Sequence, residues 1–557
     1  MDYMFQSRLR TLFLGAFLVS VMGGLLLLIQ FTNAPAPAVS TTFRDARITV
    51  TINRSYVIFP TEADCFEVLW EIENISIVNL NGQTVSQQSQ QQFCFPTLFA
   101  SFTLTLNDNS QVFFTIQPTN IFAEDSMRLA IFAILVSGVG FIYYLWPRHW
   151  NRLFSQYEWL MVGIMVSVFM VSTDLWTGYE QADYGSNYYI SLAEKGFSDN
   201  AALRSPYVYR PVVPFISGVI SKILNIPTRS GFVVFAYISS AALLITVYAI
   251  SRFYGANRWQ SLGVMGIVGI SQGILKTTLY FGMGLEATTQ TLSLLFMVFY
   301  FRRNLLICLL ITIIGLLTRE FFLIQCALLF FWLAQKALKQ KSRESVLELI
   351  IALGLISFTI LMPRLIFRNI PTEQYVDPIN SLDTLRNLID VPLNMYRNVN
   401  LVVGTLAVLL PFIALYTPRR YRAIQAMLAT HHHWMLIYAG ALALLTMYGG
   451  TDLNRYLAYA FIPLLIPLIG FFTQKVQPVS TYESVVLLIA LSLYNLLPFE
   501  VPNPNLSFNE YLDFWSPYQA FIGGGTLRLV VGFVVIVLIT RLIRALTRTP
   551  GTLISVS

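Results

Sequence analysis

Apolar runs long enough to cross a bilayer recur along this chain almost from end to end, and that repetition restricts its fold more than any other feature. A hydrocarbon core of roughly 30 Å takes about 20 apolar residues as a helix. Runs near that length predict spans at residues 12–32, 127–146, 157–173, 231–251, 260–280, 283–301, 304–318, 320–335, 346–366, 401–417, 434–448, 456–473, 483–497 and 526–546. Lipid offers the backbone no hydrogen bonds, so each run must be helical. Composition agrees. The 557 residues are 55% hydrophobic and 12% charged, against roughly 25% charged in a soluble domain. The predicted fold class is a polytopic α-helical membrane protein with about 14 transmembrane helices.

Residues 1–33 read as a signal-anchor helix, because about 20 apolar residues is long for a cleavable signal core. Cleavage near Ala34-Pro35-Ala36 is the alternative. Residues 40–122 lack a span and alternate in period two, with Phe66, Val68, Trp70 and Ile72 on one face and Phe102, Leu104 and Leu106 later. Asn81-Gly82 and Asn107-Asp108-Asn109-Ser110 supply hairpin turns. The pattern predicts a small extracytoplasmic all-β sandwich. Cys65 and Cys94 fall within it, and a bridge between them would tie two strands in an oxidising compartment. Cys308 and Cys326 sit in apolar runs and read as packing residues. The stretch from Cys65 to Cys94 resembles immunoglobulin-like modules on surface proteins of some filamentous bacteria. That likeness implies a scaffold, or a surface for an extracytoplasmic protein partner, and no chemistry.

The formal net charge of +7 would suit nucleic acid in a soluble domain. Here the basic residues fall in short connections between spans, the ordinary signature of orientation, and no nucleic-acid partner is expected. Alternate connections carry them: Arg8 and Arg10, Arg148 and Arg152, Arg252 and Arg258, Arg302 and Arg303, Lys336–Arg343, Arg419–Arg422, Lys475, and Arg541–Arg548. A single helix over 304–335 would be about 48 Å long, too long for one crossing. Two short helices meeting near Arg319 are predicted instead. This puts both termini in the cytoplasm and a membrane domain at 126–546, followed by a cytoplasmic tail at 547–557. The protein is expected in the plasma membrane, multi-pass, in contact with its lipids.

This topology gathers scattered polar residues at one outer surface. The loop from Asp174 to Arg210 carries Glu180, Asp183 and Glu194 among Trp176, Tyr184, Tyr188, Tyr189, Tyr207 and Tyr209. Glu286, Arg319-Glu320 and Asp452 with Arg455 join the same side. Ionisable groups at membrane depth are expensive and usually line a pathway or site. A local ion pair at a helix turn, an interhelical hydrogen bond or a salt-bridged helix start would each explain one member. Their convergence favours a site.

These residues also carry a resemblance. Asp183-Tyr-Gly-Ser-Asn-Tyr-Tyr-Ile-Ser-Leu-Ala193, then Tyr207-Val-Tyr-Arg210-Pro211, is similar to the first outer loop of GT-C-type integral membrane glycosyltransferases. The turn Gly282 to Glu286, the run Leu317-Thr-Arg-Glu320 and the late Asp452-x-x-Arg455-Tyr456 resemble further motifs of bacterial members. Together they cover about residues 155–475. The resemblance implies a polyprenyl-phosphate sugar donor, an extracytoplasmic acceptor (glycan, lipid or protein) and a catalytic carboxylate on this loop. Aligned on Tyr189 and Ala193, the family's acid position falls on Gly185. Asp183, Glu180 or neither then holds the catalytic role.

The chemistry has its own logic. An acceptor hydroxyl needs a base, here Asp183 or Glu180, and the leaving phosphate needs a cation, for which Arg319 and Arg455 are candidates. Tyr188, Tyr189, Tyr209, Arg210, Glu286, Glu320 and Asp452 are candidate substrate contacts, the aromatics by stacking on sugar faces. No cofactor is expected. No metal site is expected either, because consecutive histidines such as His431-His432-His433 do not readily share one tetrahedral ion. Two other classes compete. A transporter or lipid flippase predicts broken mid-membrane helices, and a non-catalytic scaffold would simply present the β-sandwich.

Overall fold

The first contiguous unit, Met1–Tyr157, is built from strands whose pairing follows the turn residues. In the computed structural model, β1 (Ala38–Phe43), β2 (Ala46–Ile52), β4 (Cys65–Glu73) and β7 (Gln88–Cys94) form one antiparallel sheet in the order β1-β2-β4-β7. A second antiparallel sheet has the order β6-β5-β8-β9, from β5 (Val78–Leu80), β6 (Gln83–Val85), β8 (Ala100–Thr105) and β9 (Gln111–Ile116). Short β3 (Tyr56–Val57) and β10 (Thr119–Asn120) pair in parallel. Leu80 faces Gln83; the predicted turn at Asn81-Gly82 lies outside the described residues. Thr105 faces Gln111; the predicted turn at Asn107–Ser110 also lies outside them. Cys65 and Cys94 are direct cross-strand partners.

The structure describes residues 18–24, 26–27, 130, 134, 156–177, 186–197, 203–204, 207–270, 283–370, 395–448, 457–496 and 525–547, together with the strands. The expected spans 12–32 and 127–146 lie largely outside them.

The second unit, Glu158–Ser557, is helical. Its helices are α1 (Glu158–Thr177), α2 (Ser186–Lys195), α3 (Val212–Leu224), α4 (Thr228–Phe253), α5 (Arg258–Ile270), α6 (Leu285–Phe301), α7 (Leu305–Leu316), α8 (Leu323–Gln340) and α9 (Arg343–Ile366). They continue with α10 (Met395–Leu415), α11 (Pro418–Tyr448), α12 (Phe461–Thr473), α13 (Thr481–Leu496) and α14 (Gly525–Thr547). Among the described residues, Thr228–Phe253, Glu320–Gln340 and Arg343–Ile366 are long and apolar enough to cross a membrane.

Most helices coincide with the predicted runs; three differ, two of them for evident physical causes. Helix α3 occupies a stretch that carries no predicted span. It is short and interrupted by Pro214 and Lys222, so it never builds a span-length apolar window. It packs on α4, where Gly231 meets Ser217 and Ser221 so closely that a Cβ would not fit. Helix α11 starts 16 residues before the expected span, at Pro418. Its polar first half is held by burial of Arg420, whose guanidinium bonds both oxygens of Glu483 at 3.1 and 2.6 Å. Helix α2 lies inside the aromatic loop.

The break near Arg319 is where the sequence predicts it. Helix α7 ends at Leu316, Arg319 is extended (φ −163°, ψ 145°), and a 3-10 turn at Glu320–Phe322 leads into α8. The Phe322 ring, fully buried, lies flat against Gly315 and fills the room a side chain there would need.

Candidate functional site

One buried ion pair, one half-buried pair and a wall of tyrosines meet where α6 begins, α7 ends and the chain enters α3. Glu286 is in the first turn of α6, which starts from Gly284 at φ 70°, ψ 2°. Glycine is required there twice over: the conformation is left-handed, and a Cβ would press on the Phe235 ring and the Ala236 backbone of α4. This is the described part of the Gly282–Glu286 segment singled out in the sequence; Gly282 lies outside the described residues. Arg319 reaches across from the end of α7 and donates to Glu286 Oε1. The two side chains are 7% and 1% exposed.

One residue later the polarity reverses. Glu320 accepts a bidentate pair from Arg210, Nε to Oε1 at 3.0 Å and Nη2 to Oε2 at 2.8 Å. Arg210 Nη1 also donates to the Tyr189 hydroxyl at 2.8 Å. The chain after Arg210 is pinned to the same turn, since the Val212 N–H donates to the Leu317 carbonyl at 3.4 Å. Arg319 lies within electrostatic range of both Arg210 and Glu320. The four charges therefore alternate in sign and sum to zero, so the buried pair and the half-buried pair beside it carry no net desolvated charge.

Tyr207 closes the cluster on the loop side. It stacks on Tyr188 with centroids 5.1 Å apart and meets Tyr189 edge-on at 5.1 Å. The Arg210 guanidinium lies 5.9 Å from the Tyr207 centroid. Burial raises the Tyr189 phenol above its ordinary pKa, outweighing the opposing pull of Arg210, so Tyr189 is a neutral hydroxyl at physiological pH. Phe321 stacks on Tyr459 at 4.4 Å, which brings the segment after Tyr456 to the Arg319 turn.

Of the predicted site residues, the structure brings together Tyr189, Arg210, Glu286, Arg319 and Glu320, with Tyr188 against Tyr207 and Tyr209 beside α9. Asp183, Glu180, Asp452 and Arg455 lie outside the described residues. Cys65 and Cys94 are strand partners by register. Among the described residues no group of His, Cys, Asp and Glu could hold a metal ion.

Sequence reasoning missed a second polar feature. One helical turn below Glu286, Gln290 is fully buried, and neither its Oε1 nor its Nε2 has a partner among the protein atoms. Ser293 follows on the same face and accepts from Gln325 Nε2 of α8 at 2.8 Å, with the Tyr438 hydroxyl of α11 beside them. The signal was present: Glu286, Gln290 and Ser293 recur at i, i+4 and i+7, on one face of the helix.

It also missed how the basic connections are used. Arg252 and Arg258 both bond Glu158, at 2.9 and 2.7 Å. Arg420 and Arg544 both bond Glu483, each at 2.6 Å. These arginines, which read as ordinary orientation charges, also clamp helix ends together. Comparison with protein-family models, with curated proteins and with solved structures finds no match for the chain.

Proposed function

We propose that this chain is a multi-pass membrane glycosyltransferase of GT-C type that moves a sugar from a polyprenyl-phosphate donor to an extracytoplasmic acceptor. The observation that carries the reading is the charge-balanced cluster of Arg210, Glu320, Arg319 and Glu286 beside stacked tyrosines. Its charges hold the end of the loop that carries Glu180 and Asp183 against the helix bundle. Preorganised charge next to aromatic faces suits a reaction that develops charge at a phosphate while gripping a sugar.

In this reading Asp183 is the base that takes the acceptor's proton, with Glu180 as its substitute. Arg319 is already engaged by Glu286, so it fixes that carboxylate and the turn, and Arg455 meets the donor phosphate. The two antiparallel sheets, with β9 close to β1 and β2, form the immunoglobulin-like sandwich outside the cell. The remaining helices complete about 14 spans, with both termini inside.

The test is turnover by the purified full chain with a panel of polyprenyl-phosphate sugars. Asp183→Asn should lower turnover about 10²–10⁴-fold, the usual contribution of a positioned base, with folding unchanged. Full activity in Asp183→Asn and loss in Glu180→Gln moves the role to Glu180. No turnover by the wild type on any donor refutes the assignment.

One observation favours a second reading. The seam of Gln290, Ser293 and Gln325 carries polarity from the cluster into the bundle, as a multi-span transporter requires.

A further inference from the structure

Helix α9 is the least covered of the three long apolar helices. Only 17% of its most apolar stretch is buried, against 50% for α4 and 44% for the Glu320–Gln340 helix. Phe358, Leu361 and Leu365 are 61%, 53% and 63% exposed. They recur at i, i+3 and i+7, so they form one apolar stripe. At its upper end the stripe meets Arg364, in the last turn of the helix, and Arg368, two residues past its end, both exposed.

Helix length fixes where those arginines lie. Arg343 to Arg364 is about 32 Å at 1.5 Å per residue, close to the roughly 30 Å of a hydrocarbon core. With the basic connection Lys336–Arg343 read into the headgroup layer at one end of α9, this length puts Arg364 and Arg368 at the other. The orientation rule accounts for the first group and leaves the second unexplained. Neither arginine pairs with a carboxylate among the described residues. Arg364 donates through Nη1 to the Ile360 carbonyl at 2.7 Å and lies 5.1 Å from the Tyr209 ring centroid. In the same region Arg210 and Arg319 are both neutralised by glutamates.

We propose that this end of α9 is a binding site for an anionic phospholipid, with the headgroup phosphate between Arg364 and Arg368 and an acyl chain along Leu365, Leu361 and Phe358. Guanidinium groups match phosphate oxygens in charge and geometry, and a tail on the exposed stripe commits the ligand to a lipid. Tyr209 precedes Arg210, so lipid bound here abuts the segment that carries the Arg210–Glu320 pair. The site stands whichever activity the chain has, because it uses no residue of the buried cluster.

The experiment labels the full chain in detergent micelles with phosphatidylglycerol bearing a photoactivatable group in its acyl chain, and maps the label by mass spectrometry. Label is expected on residues 354–366, competed by unlabelled phosphatidylglycerol and not by phosphatidylcholine. In R364Q/R368Q the competing concentration should rise about 30-fold, the combined effect of two surface cations on an anionic headgroup. R364K/R368K keeps both charges and should retain most of the affinity. That variant decides the question if the glutamine pair fails to fold. Equal labelling by the phosphatidylcholine probe, or an unchanged competition curve in R364Q/R368Q, overturns the site. Competition by a polyprenyl phosphate but not by phosphatidylglycerol overturns the choice of ligand.

Discussion

Breaking the Arg319–Glu286 pair one partner at a time should cost far more than removing both. The side chains are 7% and 1% exposed, so neither charge is solvated when left alone. Removing one partner of such a pair typically costs about 3–5 kcal/mol. Glu286→Gln leaves Arg319 and Arg210 facing the single carboxylate of Glu320, because both arginines lie in its field. Arg319→Leu leaves Glu286 without the guanidinium that bonds it. The double variant removes one charge of each sign and restores the balance of the remaining Arg210–Glu320 pair. It should therefore be more stable than the sum of the singles predicts by about 2–3 kcal/mol, at the upper end of couplings between contacting residues. The assay is unfolding by dodecyl sulfate in mixed micelles, read by far-ultraviolet circular dichroism for all four proteins. Additive losses, or singles within about 0.5 kcal/mol of wild type, would show that the charges are hydrated or separated, and the argument for a preorganised cluster would fail.

Cys65 and Cys94 face each other across β4 and β7, and cross-strand partners lie about 4.5–5.5 Å apart at Cα, within reach of a disulfide. Protein purified without reductant should show both cysteines oxidised on peptide mapping; two free thiols would reject the bridge. Gly315→Ala should destabilise the bundle by about 1–3 kcal/mol, the usual cost of overpacking, because its Cβ would enter the Phe322 ring. A dodecyl sulfate midpoint equal to wild type would mean that the ring moves aside freely.

The long helices were legible because hydropathy is a local property, read from one window at a time. The break at Arg319 was legible for a related reason: one helix through 304–335 would have overshot the membrane. What stayed hidden is what depends on distant partners. Arg210 and Glu320 are separated by 110 positions, and Arg420 and Glu483 by 63. No window contains both members. Arg420 therefore read as a cytoplasmic orientation charge, although it is fully buried at the foot of a 31-residue helix. Helix α3 was missed because Lys222 and two prolines at its start hide a 13-residue amphipathic stretch from any span-length window. Glu286, Arg319 and Glu320 were found because a charge inside an apolar run stands out alone. Which arginine meets which glutamate was not readable from the sequence.

The two functional readings make opposite demands on Gln290. Its amide is fully buried, and neither polar atom has a protein partner. An unmet buried polar group typically costs about 1–3 kcal/mol, so an apolar residue of similar shape should be neutral or stabilising for folding. Gln290→Met is that replacement. If the chain is a transferase working at the Arg210–Glu320 cluster, the variant should keep sugar transfer within about twofold, because Gln290 lies one helical turn deeper than Glu286, about 6 Å. If the polar seam is a conduction path, the same variant interrupts it between Glu286 and Ser293 and should abolish uptake by proteoliposomes while raising stability. Stability and function then move in opposite directions, which a merely structural role would not produce. Transfer retained with stability unchanged or raised supports the transferase. Loss of sugar transfer in a stably folded Gln290→Met protein would extend the reacting site into the bundle and refute its confinement to the outer loop and the cluster that holds it.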